Sequence, residues 1–127
     1  MGNRSGKSTI LFVDDNHTVL SVGTLIIQRC GYKVLQAKSA TEAIQGFQNY
    51  IDEICLIILD EKLPDEPGSD TCKRLKEHDP NVKVLHTSGL GKAQRNESLN
   101  CGCNDFLEKP FRVEELSNKL KEMLENT

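Results

Sequence analysis

Six consecutive apolar residues, Ile54-Cys55-Leu56-Ile57-Ile58-Leu59, run straight into a carboxylate at Asp60. A run that long with no polar alternation reads as a strand buried on both faces, the kind found in the middle of a parallel sheet. Pro64, Pro67 and Gly68 punctuate the charged segment that follows, so the strand gives way to a loop there. In open α/β sheets, ligands and chemistry sit just beyond the carboxyl ends of the strands. Asp60 is therefore a candidate reactive group. Taken alone, it reads more simply as a loop-starting residue bonded to its own backbone.

A chain of 127 residues fits one domain with a single core, and 37% hydrophobic with 28% charged residues is ordinary for a soluble globular protein. The formal charge of −3 argues against nonspecific nucleic-acid binding, which needs a basic field. No apolar run approaches the ~18 residues needed to cross a bilayer, and no signal peptide opens the chain, so a cytoplasmic location is expected. The odd set Cys30, Cys55, Cys72, Cys101 and Cys103 suits reduced thiols better than a disulfide scaffold. Cys101-Gly102-Cys103 lacks a second pair or a nearby His at metal-site spacing and is taken as structural. Residues 1–8 resemble a P-loop only superficially. Gly2 and Gly6 are separated by three residues, not four, and no strand precedes them. A flexible terminal segment over 1–8 and one domain over 9–127 are expected.

A second apolar strand, Thr9-Ile10-Leu11-Phe12-Val13, also ends on acid, at Asp14-Asp15. Asn16 can cap the following helix, whose inward positions read as Val19, Leu20, Leu25, Ile26 and Cys30, and Gly31 can terminate it. Residues 32–37 form a less apolar, edge-proximal strand. Ser39 and Glu42 make a capping box for a helix to about Asn49. After the Asp60 loop, Ser69 can cap a helix to about His78, stopped by Asp79-Pro80. Residues 82–88 make a fourth strand ending in hydroxyls. A helix over 92–100 has only Ala93 and Leu99 to bury, so it is weakly anchored. Asp105-Phe106-Leu107-Glu108 is a fifth strand leading into Lys109-Pro110-Phe111. The last helix, about 113–125, shows Val113, Leu116, Leu120 and Leu124 on one face. Five alternations of strand and helix give a single (βα)5 domain, a parallel sheet with helices on both faces.

Parallel topology puts all carboxyl ends at one edge, which then carries Asp14, Asp15, Asp60, Thr87 or Ser88, and Lys109. Three neighbouring carboxylates repel one another unless a cation is present, and an all-oxygen set suits Mg2+. A hydroxyl and an ammonium beside them complement a phosphoryl group. A carboxylate can itself be the nucleophile, forming an aspartyl-phosphate.

With these residues assembled, the chain resembles a two-component response-regulator receiver domain of the CheY-like superfamily. The likeness spans about residues 9–125 and rests on Ile10-Leu11-Phe12-Val13-Asp14-Asp15, Leu59-Asp60-Glu61-Lys62-Leu63-Pro64, Thr87-Ser88-Gly89 and the segment from Gly102 to Phe111. The resemblance implies a flavodoxin-like sheet of order 2-1-3-4-5. It implies that Asp60 accepts phosphoryl from a phosphohistidine of a sensor kinase or phosphotransfer domain. Asp15, Asp60 and the backbone carbonyl of Lys62 would bind Mg2+ directly, and Asp14 through water. Lys109 would pair with the phosphoryl oxygens, and the Lys109–Pro110 bond would be cis. The switch hydroxyl is assigned to Ser88, which precedes a small residue; Thr87 would point away by strand alternation. The switch aromatic would be Phe106, which lacks the hydroxyl of the more usual Tyr. Lys62 is a departure whose side chain either overlies the phosphoryl group or points to solvent.

The expected function is that of a phosphoacceptor signalling domain, not an enzyme acting on other substrates. It would catalyse its own phosphorylation and dephosphorylation and repack the surface of the fourth helix, fifth strand and fifth helix. Partners would be the phosphohistidine donor, a downstream output domain or protein, and, on phosphorylation, a second copy. Direct nucleic-acid binding and membrane insertion are not expected. The alternatives are a receiver-like interaction module that works without phosphorylation, and an aspartyl-nucleophile phosphatase. The latter would want a second Asp where Lys62 stands.

Overall fold

The computed structural model describes residues 7–89 and 102–125. The elements are β1 (Thr9–Val13), α1 (His17–Arg29), β2 (Lys33–Ala37), α2 (Ala40–Asn49), β3 (Ile54–Asp60), α3 (Gly68–His78), β4 (Val84–Ser88), β5 (Asp105–Glu108) and α4 (Val113–Leu120), the last continued by a π-helical turn, Lys121–Glu125. The helix expected over 92–100 and most of the terminal segment 1–8 lie outside the described residues.

All five strands are parallel, in the order β2-β1-β3-β4-β5, as expected for a flavodoxin-like domain. β3 sits in the centre with six of its seven residues buried. Alternation along the strands splits the apolar residues into two cores. Ile10, Phe12, Leu56 and Ile58 pack with Leu20, Ile27, Leu116 and Leu120 of α1 and α4. Leu11, Val13, Ile57 and Leu59 pack with Ala43, Phe47, Cys72 and Leu75 of α2 and α3. The continuous apolar run of β3 thus fills both layers at once.

Several local expectations hold. Asn16 Oδ1 accepts from the Val19 amide at 3.0 Å, and Gly31 takes φ +98° at the end of α1. The Ser39 hydroxyl accepts from the Glu42 amide, but Glu42 returns its bond to Lys38, so the capping box is offset by one residue. Ser69 is not a cap: the cap position is Pro67, two residues earlier, α3 starts at Gly68, and the Ser69 amide bonds Glu61 Oε1 at 2.9 Å. Leu25 is exposed, because the buried stripe of α1 runs through Leu20, Gly23, Ile26 and Ile27. Val113 is exposed too. The π turn adds Met123 beside Leu124, completing the buried face of the last helix at its far end.

At Gly23, α1 lies close against a side chain of the sheet. A Cβ there would lie 2.4 Å from Phe12 Cε2, and Phe12 is itself 1% exposed, in the core cluster with Leu20 and Ile27. Glycine to alanine inside a helix is intrinsically favourable by about 1 kcal/mol. Overpacking a closed core costs about 1–3 kcal/mol. Gly23→Ala is therefore expected to destabilise, seen as a lower urea midpoint at unchanged slope.

Candidate functional site

Four strand ends deliver the site. Asp14 leaves β1 with its amide on the Ala37 carbonyl at 3.0 Å, and its Oδ1 accepts from the Asn16 amide at 2.8 Å, so the turn into α1 fixes the carboxylate. Asp60 ends β3. Lys109 follows β5, where its amide bonds the Ser88 carbonyl at 2.8 Å. The Lys109 Nζ reaches Asp14 Oδ2 at 2.5 Å and Asp60 Oδ1 at 3.0 Å. Asp14 and Asp60 are buried and Asp15 is exposed, yet all three offer carboxylate oxygens within 4.8 Å of one another. The Lys109–Pro110 peptide is cis.

The electrostatics follow from that packing. Burial, and then the charge of Asp14, pushes the Asp60 carboxyl up to about 6, against the opposing pull of Lys109. Burial works against the Lys109 charge, but its bonds to Asp14 and Asp60 outweigh that and hold its pKa above the ordinary value. Among the described residues, Lys109 pairs with Asp14 and Asp60 while Asp15 adds a third carboxylate, so this group carries excess negative charge. The donors are all oxygen, two of them desolvated, which suits a small divalent cation better than a soft one.

Ser88 and Thr87 are both buried at the end of β4; Thr87 stands opposite Asp60 in the sheet and its carbonyl accepts from the Glu61 amide at 3.0 Å. Lys62 is exposed and pairs with Pro67 in an isolated antiparallel bridge. Phe106 is 6% exposed, its ring already inward and edge-on to His86, with centroids 6.2 Å apart.

Two contributors were not singled out from the sequence. His86 is fully buried, with Nε2 2.9 Å from Glu61 Oε1, and burial pushes its pKa down to about 4. The contact at neutral pH is thus between a neutral ring and a carboxylate. The available signal was a histidine two residues before Ser88, on the same side of a strand with no solvated face. Asp65 reaches from the loop after β3 to accept from the Ala40 and Thr41 amides at 2.8 and 2.9 Å. Those bonds hold its carboxyl down at about 2 and anchor the loop to the start of α2. Nothing local in the sequence pairs residues that far apart.

The sheet order and the acid-and-lysine edge define a CheY-like α/β domain. More particularly, the chain belongs to the response regulator receiver domain family, whose model matches residues 10–121. It is 32% identical to the chemotaxis protein CheY of Thermotoga maritima, over 87% of this chain and 95% of that protein. It is 30% identical to the sensor kinase CckA of Brucella abortus over 95% of this chain but only 13% of that protein. The chain spans about half of the probable transcriptional regulator ycf27 of Cyanophora paradoxa. Among solved structures it is similar to a CheY-like receiver domain protein from Methanospirillum hungatei, TM-score 0.86 at 29% identity over 94% of each chain. It is also similar to a chain of the CheX-CheY-BeF3-Mg+2 complex from Borrelia burgdorferi, TM-score 0.86 at 26% identity over 91% of this chain and 87% of that one. No described helix is long and apolar enough to cross a membrane.

Proposed function

We propose that this receiver domain is the phosphoacceptor of a two-component phosphorelay, taking a phosphoryl group from a phosphohistidine onto Asp60. The observation that carries the reading is the convergence of Asp14, Asp15 and Asp60 on one edge with Lys109 3.0 Å from Asp60. Asp15, Asp60 and the backbone carbonyl of Lys62 would hold Mg2+, with Asp14 acting through water. Bound there, the ion neutralises charge on the transferring group and aligns donor with acceptor.

An Asp60 carboxyl titrating near 6 is mostly ionised at neutral pH, so one of its oxygens can attack phosphorus while the donor imidazole leaves with the electron pair of the broken P–N bond. Lys109 already bonds oxygens of Asp14 and Asp60 and has one donor left to turn to the incoming phosphoryl oxygens. The donor docks beside this edge. A hollow of about 330 Å³ lined by Val19, Val22, Gly23, Lys109, Pro110 and Phe111 gives it apolar surface there. Ser88 then moves toward the new oxygens, and Phe106 and the surface of β5 and α4 answer it. The sensor-kinase and transcriptional-regulator relatives support a phosphohistidine donor, and an output domain or protein, as partners.

Intact mass after incubation with acetyl phosphate tests the reading. A gain of one phosphoryl group with Mg2+, and none in EDTA, is expected. Borohydride reduction of the product should place it at Asp60. No gain from acetyl phosphate or from a phosphohistidine domain, with Mg2+ binding intact, would favour a receiver-like module that works without phosphorylation.

A further inference from the structure

Away from the acidic edge, Cys72 of α3 and Cys103, two residues before β5, bring their sulfurs to 3.0 Å. Neither is in a disulfide, and each is almost wholly buried, at 0% and 5% exposure. A disulfide requires about 2.05 Å, so the sulfurs need close by only about 1 Å. The segments that carry them are already tied together. Lys76, one turn after Cys72, donates to Asn104 Oδ1 at 2.8 Å and to the Val82 carbonyl. Asn104, next to Cys103, also accepts from the Val84 amide at 2.8 Å and donates its own amide back to the Val84 carbonyl. Helix, strand and turn are thus pinned around the sulfur pair.

We propose that Cys72 and Cys103 form a reversible redox site, closed to a disulfide by a small oxidant of the peroxide class. The site stands apart from the phosphoacceptor reading and does not depend on it. The Cys72 thiol is the better nucleophile: the hydrogen bond from Cys103 and the charge of Lys76 stabilise its thiolate against burial and lower its pKa. Its sulfur attacks one peroxide oxygen, the O–O bond breaks, and hydroxide leaves to take a proton and become water. The resulting sulfenic acid is attacked by the Cys103 sulfur; the S–S bond forms, and the hydroxyl leaves as a second water with the Cys103 proton. Two thiols are oxidised and one peroxide is reduced to two waters. Reduction by a dithiol reverses the step. The bond closes a covalent loop around β4, the strand that ends at Ser88. Transient, sensing disulfides of this kind are the type found in reducing compartments.

The test is hydrogen peroxide treatment of the whole chain, followed by alkylation of remaining thiols and peptide mapping. Expected are a monomer lighter by two hydrogens, one Cys72–Cys103 cross-linked peptide, reversal by dithiothreitol, and a melting temperature raised by about 5–10 °C. The double variant Cys30→Ser/Cys55→Ser should keep the cross-link. Lys76→Gln should slow its formation several-fold, and Cys103→Ser should abolish it. If a serine variant does not fold, the wild-type map decides by itself. Cross-links that pair either residue with another cysteine, sulfinic acid on Cys72 without cross-linking, or four described thiols unchanged by peroxide would each overturn the proposal.

Discussion

Replacing Asp60 by asparagine is expected to abolish phosphoryl uptake from acetyl phosphate while making the fold more stable at neutral pH, by about 1–3 kcal/mol. The loss follows because an amide oxygen is too weak a nucleophile to displace the donor. The gain follows from the cost of holding this carboxylate ionised. Its pKa rises from 3.8 to about 6 on folding because it is buried next to Asp14. At 1.36 kcal/mol per unit that is about 3 kcal/mol above both pKa values, reduced in the variant by the partner Lys109 loses. A raised carboxyl pKa means the folded state binds the proton more tightly, so this contribution weakens the fold as pH rises from 4 to 6. His86 works in the opposite direction. Its pKa falls from 6.5 to about 4 on folding, so its contribution is present above 6.5 and is lost as pH falls toward 4. In the wild type the two slopes oppose each other across the same window. In Asp60→Asn only that of His86 remains, and stability should drop by about 3 kcal/mol between pH 7 and 4, against a much smaller change in the wild type. Urea unfolding in EDTA at several pH values measures both. A variant no more stable than wild type at pH 7 would mean that Asp60 is not held at a cost. Adding Mg2+ should narrow the gap at neutral pH by stabilising the wild type alone.

How much of this was legible in the sequence depends on the range of the interaction. The strands were legible because each is a run of neighbours whose burial leaves a mark in residue type; β3 and β5 match their expected bounds. The site acids were legible because topology alone brings strand ends together, so Asp14, Asp60 and Lys109 could be grouped without knowing a distance. Interactions whose partners are far apart in sequence were not legible. The Asp65 bonds to α2, the His86–Glu61 contact and the Cys72–Cys103 pair each depend on how a helix or loop settles on the sheet. The face of α1 was misread at Leu25 for a related reason. The helix carries more apolar residues than its stripe can bury, and one of its buried positions is Gly23, which has no hydrophobic signal.

Gly68 is the strongest case of that blindness, and its substitution carries the second large effect. It opens α3, and its amide bonds the Glu61 carbonyl at 2.8 Å, folding the loop after Asp60 back on itself. A Cβ at this position would lie 2.2 Å from the Asp60 carbonyl oxygen and 2.9 Å from the Glu61 Cα. These are backbone atoms of the central strand's end, so they cannot swing aside as a side chain can. Either α3 or the end of β3 must move. Gly68→Ala is expected to cost about 2–4 kcal/mol of stability, at the upper end of overpacking effects. It should also weaken Mg2+ binding at least about tenfold, equivalent to ~1.4 kcal/mol, because the loop that moves carries the Lys62 carbonyl. Gly89, on the other side of the site, is the control. Its Cβ would meet nothing within 4 Å, so Gly89→Ala should leave both quantities close to wild type. In the sequence nothing local marks the two apart: each is a glycine in the segment that follows a strand ending in the candidate site, Gly68 eight residues after Asp60 and Gly89 directly after Ser88. A Mg2+ titration of both variants beside their urea midpoints separates them. Equal behaviour would mean that the loop tolerates displacement and that close contact between α3 and β3 is not what shapes the acidic edge.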